Sequence, residues 1–292
     1  MIKKIKVIKK KYIILIFVII CFCRCNNKKE QLPSYIAIDA VKVETNYSKE
    51  GTALHGICDS WIIVDYKDIG IFENPTKNIP VLASGMQHIE ILPGIKENGS
   101  SSYHVVYPMM ERYVIDTILK EKEIAKIKPK FQYKENVVFA LLEDFDKVGN
   151  YFQEAENSVP MKIIFDEELL EKRCMYFSLE KENDQFECRS VNLISLPTNG
   201  SDVYLELNYR CNGSFIFGFF DRQGTTNQIE VRVNVYHINP SNNQWKKVYV
   251  NLKTHLYNAK GKEFRPFFIA SKNNNNVDKV EVYIDNIKIL YK

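Results

Sequence analysis

The segment at residues 203–209, Val203-Tyr204-Leu205-Glu206-Leu207-Asn208-Tyr209, alternates in chemistry with a period of two, and much of the chain obeys the same rule. That period sends successive side chains to opposite faces of a strand, so each such segment covers a core on one side only. A first strand with Ile36, Ile38, Val41 and Val43 as its apolar positions, and residues 61–65, 69–72, 87–92, 103–107 and 114–119, read as strands in the first part of the chain. Residues 137–142, 175–179, 186–193, 203–209, 214–220, 229–237, 245–252, 267–270 and 280–290 do so in the second. Asn, Gly and Pro punctuate the gaps between them. Tyr and Phe, 17 of each, together with abundant β-branched residues, fit strands rather than helices. Helical periodicity is scarce, and residues 166–174 are the one stretch expected to form more than a turn. The expectation is an all-β protein of two β-sandwich domains, residues 36–120 and 137–292, joined by a lysine-rich solvated linker at 121–136.

The amino terminus has a different composition. Lys3, Lys4, Lys6, Lys9, Lys10 and Lys11 come with no acid, residues 12–23 are almost purely apolar, and Asn26-Asn27-Lys28-Lys29-Glu30 follows. A charged start, a short apolar run and a cysteine at the exit are the parts of a secretory signal. As a helix the apolar run would reach about 18 Å, well short of a bilayer core of roughly 30 Å. A spanning helix is therefore the weaker alternative. The arrangement resembles a bacterial lipoprotein signal at residues 1–24, followed by a tether at 25–35. That resemblance implies a diacylated cysteine as the first mature residue. Cys25 fits the polar tether best, with Cys23 and Cys21 as alternatives, because Arg24 stands where the motif prefers a small residue. It also implies a lipid-anchored protein of the outer membrane, facing the cell surface or, alternatively, the periplasm.

The formal charge of +4 is set by the amino terminus: residues 1–24 contribute +7, and the rest of the chain is net −3. No basic stripe survives, so nucleic acid is not an expected partner. Gly-x-Ser-x-Gly, His-Glu-x-x-His and phosphate-loop patterns are all missing, and the five histidines are scattered singly. No enzyme is expected, although a glycoside hydrolase needs only two carboxylates and stays as the alternative. His88 and His104 read as packed or rim residues outside any metal cluster. Cys58, Cys174, Cys188 and Cys211 lie beyond the signal. Residues 175–179 and 186–193 look like a hairpin pair, with Cys174 and Cys188 flanking the polar tip Lys181-Glu182-Asn183-Asp184. A Cys174–Cys188 disulfide is one reading, and four buried thiols the other.

Two family resemblances sharpen these expectations. Val64, Asp65, Gly70, Pro80, Leu82, Gly85, His88, Ile89 and Ile91 occupy the places of the PEGA-type modules of bacterial envelope proteins, with Tyr66 where that family has glycine. The resemblance implies a compact sandwich that positions other domains. Glu143-Asp144-Phe145-Asp146, the strand at 245–252 and Val282-Tyr283-Ile284-Asp285-Asn286-Ile287 are similar to the opening, Trp-x-x-Val-x-Ile-x-Leu and closing segments of carbohydrate-binding-module jelly rolls. That resemblance implies a galactose-binding-like jelly roll over residues 137–292. It also implies a structural calcium on Asp144, Asp146 and Asp285, the alternative being solvated acids and a turn cap. No other cofactor is expected. Tyr236, Tyr249 and Tyr257 are the candidate aromatic platform for a sugar, and Trp245 is assigned to the core. Two functions follow. One is an accessory subunit docked on an outer-membrane protein partner in transport or protein insertion. The other is a surface lipoprotein that binds polysaccharide through its jelly roll.

Overall fold

A computed structural model of the chain describes residues 32–165 and 173–292. The expected signal, the lipidation candidates Cys21, Cys23 and Cys25, and most of the expected helix at 166–174 lie outside the described residues. Among the described residues no helix is long and apolar enough to cross a membrane.

The first body is a sandwich. One sheet runs β4 (Lys67–Glu73), β3 (Asp59–Val64), β6 (Gly85–Lys96) and β7 (His104–Val106), with β8 (Tyr113–Leu119) also paired to β6. The other holds β5 (Thr76–Val81), β1 (Ser34–Ile38) and β9 (Ile124–Ile127), beside the short pair β2 (Lys42–Val43) and β10 (Lys130–Phe131). Strands β9 and β10 run parallel to β1 and β2, which corrects the expected linker. The lysines of that stretch disguised a period-two pattern: Lys126, Lys128, Lys130 and Gln132 are exposed, while Ile127, Pro129, Phe131 and Tyr133 are buried. The first body therefore extends through Tyr133. Asp65 and Tyr66 close the β3–β4 turn with φ of 45° and 63°, the left-handed pair that a two-residue hairpin turn needs.

The second body is a jelly roll of two antiparallel sheets. One is ordered β13 (Lys162–Phe165), β14 (Arg173–Leu179), β22 (Val280–Tyr291), β17 (Val203–Cys211) and β20 (Lys246–Asn251), with β11 (Val138–Glu143) also on β22. The other is ordered β12 (Phe152–Glu154), β15 (Gln185–Ser190), β21 (Glu263–Ser271), β18 (Phe215–Gln223) and β19 (Ile229–Ile238), with β16 (Ile194–Ser195) also on β21. The aromatic core lies between them: Phe177 stacks on Phe186 at 3.7 Å, and Phe268 contacts the rings of Phe152, Phe215 and Phe217. Strands β14 and β15 belong to opposite sheets, so the expected hairpin does not form. Met175, Phe177 and Leu179 fill the core from β14, which turns Cys174 to the other face of its sheet, whereas Cys188 points into the core. No disulfide joins them.

The two bodies share buried surface. Tyr204, Tyr249 and Leu290, on the outer face of the β14–β22–β17–β20 sheet, belong to the apolar cluster of the first body. At its centre the buried Glu206 carboxylate accepts from the Tyr107 hydroxyl at 2.5 Å and from Tyr133 at 2.9 Å. Lys247 Nζ lies 3.0 Å from the other carboxylate oxygen, off the hydrogen-bond line, with both side chains almost fully buried. Lys288 Nζ donates to the Thr52 carbonyl at 2.7 Å, and Tyr249 Oη accepts the Gly56 N–H at 2.8 Å. Burial pushes the Glu206 pKa up, but Lys247, Lys288 and the Tyr107 hydroxyl outweigh it, and the carboxyl ends below its ordinary value. A depressed carboxyl stabilises the fold fully above the unfolded pKa, near 4.3, and loses that contribution as pH falls through the folded value. From about pH 5 downward, thermal unfolding of the native chain should therefore steepen with acid more than that of Glu206→Gln.

Candidate functional site

Strand alternation builds a face on the second body that the first body leaves open. Met175 and Phe177 on β14, Val282 and Ile284 on β22, and Tyr209 and Cys211 on β17 all point inward. Tyr176, Tyr283 and Arg210 therefore point outward, and Trp245, one residue before β20, continues the same rank. The register aligns them, since Tyr176 pairs with Tyr283, Arg210 pairs with Tyr283, and Tyr209 pairs with Lys246. Four side chains from four neighbouring strand positions thus form one row across the sheet, all half-buried. The Tyr176 and Tyr283 rings are 4.9 Å apart, and Trp245 meets Tyr283 edge-on at 6.5 Å. The Arg210 guanidinium lies over Tyr283 at 4.1 Å and over Trp245 at 5.8 Å. Such stacking fixes the guanidinium plane without consuming its N–H donors.

The rim of the row is polar. Tyr176 donates to Glu281 at 2.9 Å, and Lys279 bridges Glu281 at 3.2 Å and Glu180 at 3.4 Å. Arg210 makes no ion pair among the described residues. The opposite sheet offers a contrast. Its outer rings, Phe220 and Phe267, are buried beneath Arg189 and Arg232, and both arginines are tied to Glu187. The Tyr176–Tyr283–Arg210–Trp245 row thus joins three half-buried rings to a cation that no carboxylate neutralises among the described residues.

The residues expected from sequence lie elsewhere. Tyr249 is buried between the bodies against Tyr107, and the Tyr236 hydroxyl donates to the Asn98 carbonyl, so both fasten the first body to the second. Tyr257 is 65% exposed at the end of a single helical turn and makes no ring contact with the row. Trp245, assigned to the core, instead shares the outer face with Lys247 and Tyr249, because Val248, Val250 and Leu252 take the inner positions. The three expected calcium ligands do not converge. Asp144 Oδ2 accepts the Tyr47 hydroxyl at 2.6 Å and its Oδ1 the Asp146 N–H at 3.3 Å, while Asp285 accepts the Asn286 N–H at 2.7 Å. Glu143, not an aspartate, organises that loop, taking the N–H groups of Phe145 and Tyr151. His88 is a rim residue between Asp116 and the Tyr66 ring. His104, in contrast, does sit in a cluster, with Cys58 and Asp59. Burial and then the Asp59 contact push the Cys58 thiol up to about 12, the reverse of a reactive cysteine.

No protein-family profile matches the chain, and no curated protein does. Solved structures resemble it over about half its length. The module pair CBM22-1–GH10 of the Clostridium thermocellum endo-1,4-β-D-xylanase 10B, complexed with xylohexaose, aligns at 10% identity over 53% of this chain and 28% of that one, with a TM-score of 0.38. A family 11 carbohydrate-binding module of a cellulosomal cellulase from the same organism aligns at 18% identity over 52% and 93%, with a TM-score of 0.36. The xylan-binding CBM22-2 domain from Paenibacillus barcinonensis aligns at 14% identity over 52% and 99%, with a TM-score of 0.35. The jelly roll is read from the strand order, and likenesses this distant add no weight to it.

Proposed function

We propose that the protein is a non-catalytic glycan-binding protein whose jelly roll holds a polysaccharide along the Tyr176–Tyr283–Arg210–Trp245 row. The observation that carries this reading is the register-aligned aromatic row on the half of the sheet that the first body does not cover. A pyranose ring presents an apolar C–H face and a hydroxyl edge. Aromatic side chains satisfy the first, and the guanidinium with the Glu281–Lys279 rim satisfies the second. The shared buried surface with the first body gives the row a rigid base, which lowers the ordering cost of binding. A lipid anchor at Cys25 would hold that face at the cell envelope, where polysaccharides are at hand. Among the described residues no comparable surface favours the docked-subunit reading.

Affinity electrophoresis against a panel of polysaccharides tests the reading. The native chain should be retarded by at least one of them. Trp245→Ala and Tyr283→Ala should each weaken that retardation by roughly 30-fold, the equivalent of about 2 kcal/mol for a central aromatic contact, with the circular dichroism unchanged. A native chain that no polysaccharide retards, or a folded Trp245→Ala chain retarded as strongly as the native one, overturns it.

A further inference from the structure

Cys58, the residue before β3, and His104, the first of β7, are brought together across β6: Asp59 pairs with Gly94, and His104 pairs with Lys96 two residues along. Gly94 makes the convergence feasible, since a Cβ there would stand 2.7 Å from Asp59 Cβ. Cys58 Sγ is 3.2 Å from Asp59 Oδ2, and His104 Nδ1 is 2.5 Å from the same oxygen. The three ligand atoms lie within 4.8 Å of one another, the only such group among the described residues. We propose that Cys58 Sγ, the Asp59 carboxylate and His104 Nδ1 form a binding site for a soft-to-borderline divalent transition-metal cation, of which zinc is the type.

Two further observations point to a cation. The Asp59 side chain is 1% exposed, and its Oδ1 has no hydrogen-bond partner. A buried oxygen left in that condition is costly, and a cation answers it. His104 Nε2 lies 3.0 Å from the Ser101 carbonyl. Metal-bound histidines characteristically donate their second ring N–H to such an acceptor, which leaves the other nitrogen for the metal. The thiolate donor selects against calcium and magnesium and for borderline divalent ions such as zinc or cobalt. Binding would release the Cys58 thiol proton and the proton that His104 Nδ1 shares with Asp59. Thiolate, carboxylate and divalent cation then sum to a neutral site. The Lys96 ammonium is turned away to Glu73 at 3.5 Å. Cys58 and Lys96 both line a cleft of about 330 Å³ between the two bodies, which gives an ion its path in from solvent.

The site is independent of the glycan row, and its test does not involve sugar. The full chain is titrated with Co2+ and followed by absorption, then competed with Zn2+ and, separately, Ca2+. The expected result is one Co2+ per chain with a thiolate-to-metal charge-transfer band, displaced by Zn2+ and untouched by Ca2+. Cys58→Ser should abolish the band, and His104→Ala should weaken zinc binding roughly a hundredfold. Cys174, Cys188 and Cys211 stay in place as internal controls, and Cys21, Cys23 and Cys25 are changed to serine in both chains so that no second thiol cluster competes for Co2+. A native chain without the charge-transfer band at equimolar Co2+ overturns the proposal whatever the variants do. So does a Cys58→Ser chain that keeps the band.

Discussion

Replacing Glu206 with alanine is expected to destabilise the protein by about 3–5 kcal/mol, the usual consequence of removing one partner from a buried charge pair. The carboxylate is fully buried, and its loss strands Lys247 with its charge at an almost fully buried position. Tyr107 and Tyr133 lose the acceptor for both hydroxyls at the same time. Because these groups come from both bodies, the substitution should also separate their unfolding. Calorimetry should show one transition in the native chain and two in Glu206→Ala. A single transition with a midpoint close to the native one would show that apolar contact through Tyr204, Tyr249 and Leu290 suffices.

Phe268→Ala should cost a similar amount, about 3–5 kcal/mol, by a different mechanism. Its ring is fully buried and contacts Phe152 on β12 and Phe215 and Phe217 on β18. Neither of those strands can collapse into the void without breaking its ladder, so the cavity stays open. In the Glu206→Ala background, where the bodies are expected to unfold separately, the loss should appear in the second body's transition alone, read by urea denaturation with an unchanged slope. Phe268→Leu should recover most of it. Equal losses in both bodies' transitions would contradict the separation of the two cores.

Much of the fold was legible because period two is a local signal. The strand expected at 203–209 appears as Val203–Cys211, and the one at 280–290 as Val280–Tyr291. The linker was misread for a physical reason. Lys126, Lys128 and Lys130 are the exposed positions of β9, β10 and the residues between them, alternating with buried Ile127, Pro129 and Phe131, and lysine density hid the alternation. The hairpin assumed at Cys174–Cys188 failed because adjacent strands in a jelly roll often change sheets, which local pattern does not encode.

The row on the second body was half legible. Parity alone sends Tyr176, Tyr283 and Trp245 outward, given Phe177, Val282 and Val248 inside. That they share one rank depends on the order β14–β22–β17–β20, which joins residues more than a hundred positions apart. The same parity marks Glu206, Lys247, Tyr249 and Lys288 as outward, the side that water ordinarily covers. They are buried because a second body sits on them. Cys58, Asp59 and His104 gave no motif because the contact is made through β6, not through spacing along the chain.

Trp61 and Trp245 are the only tryptophans, so a Trp61→Phe chain reports on Trp245 alone. Titrating it with the polysaccharide that retards the native chain should shift and saturate the Trp245 emission over the same concentration range as the retardation. Saturable retardation with the Trp245 emission unmoved would place the glycan on some other face and contradict the account.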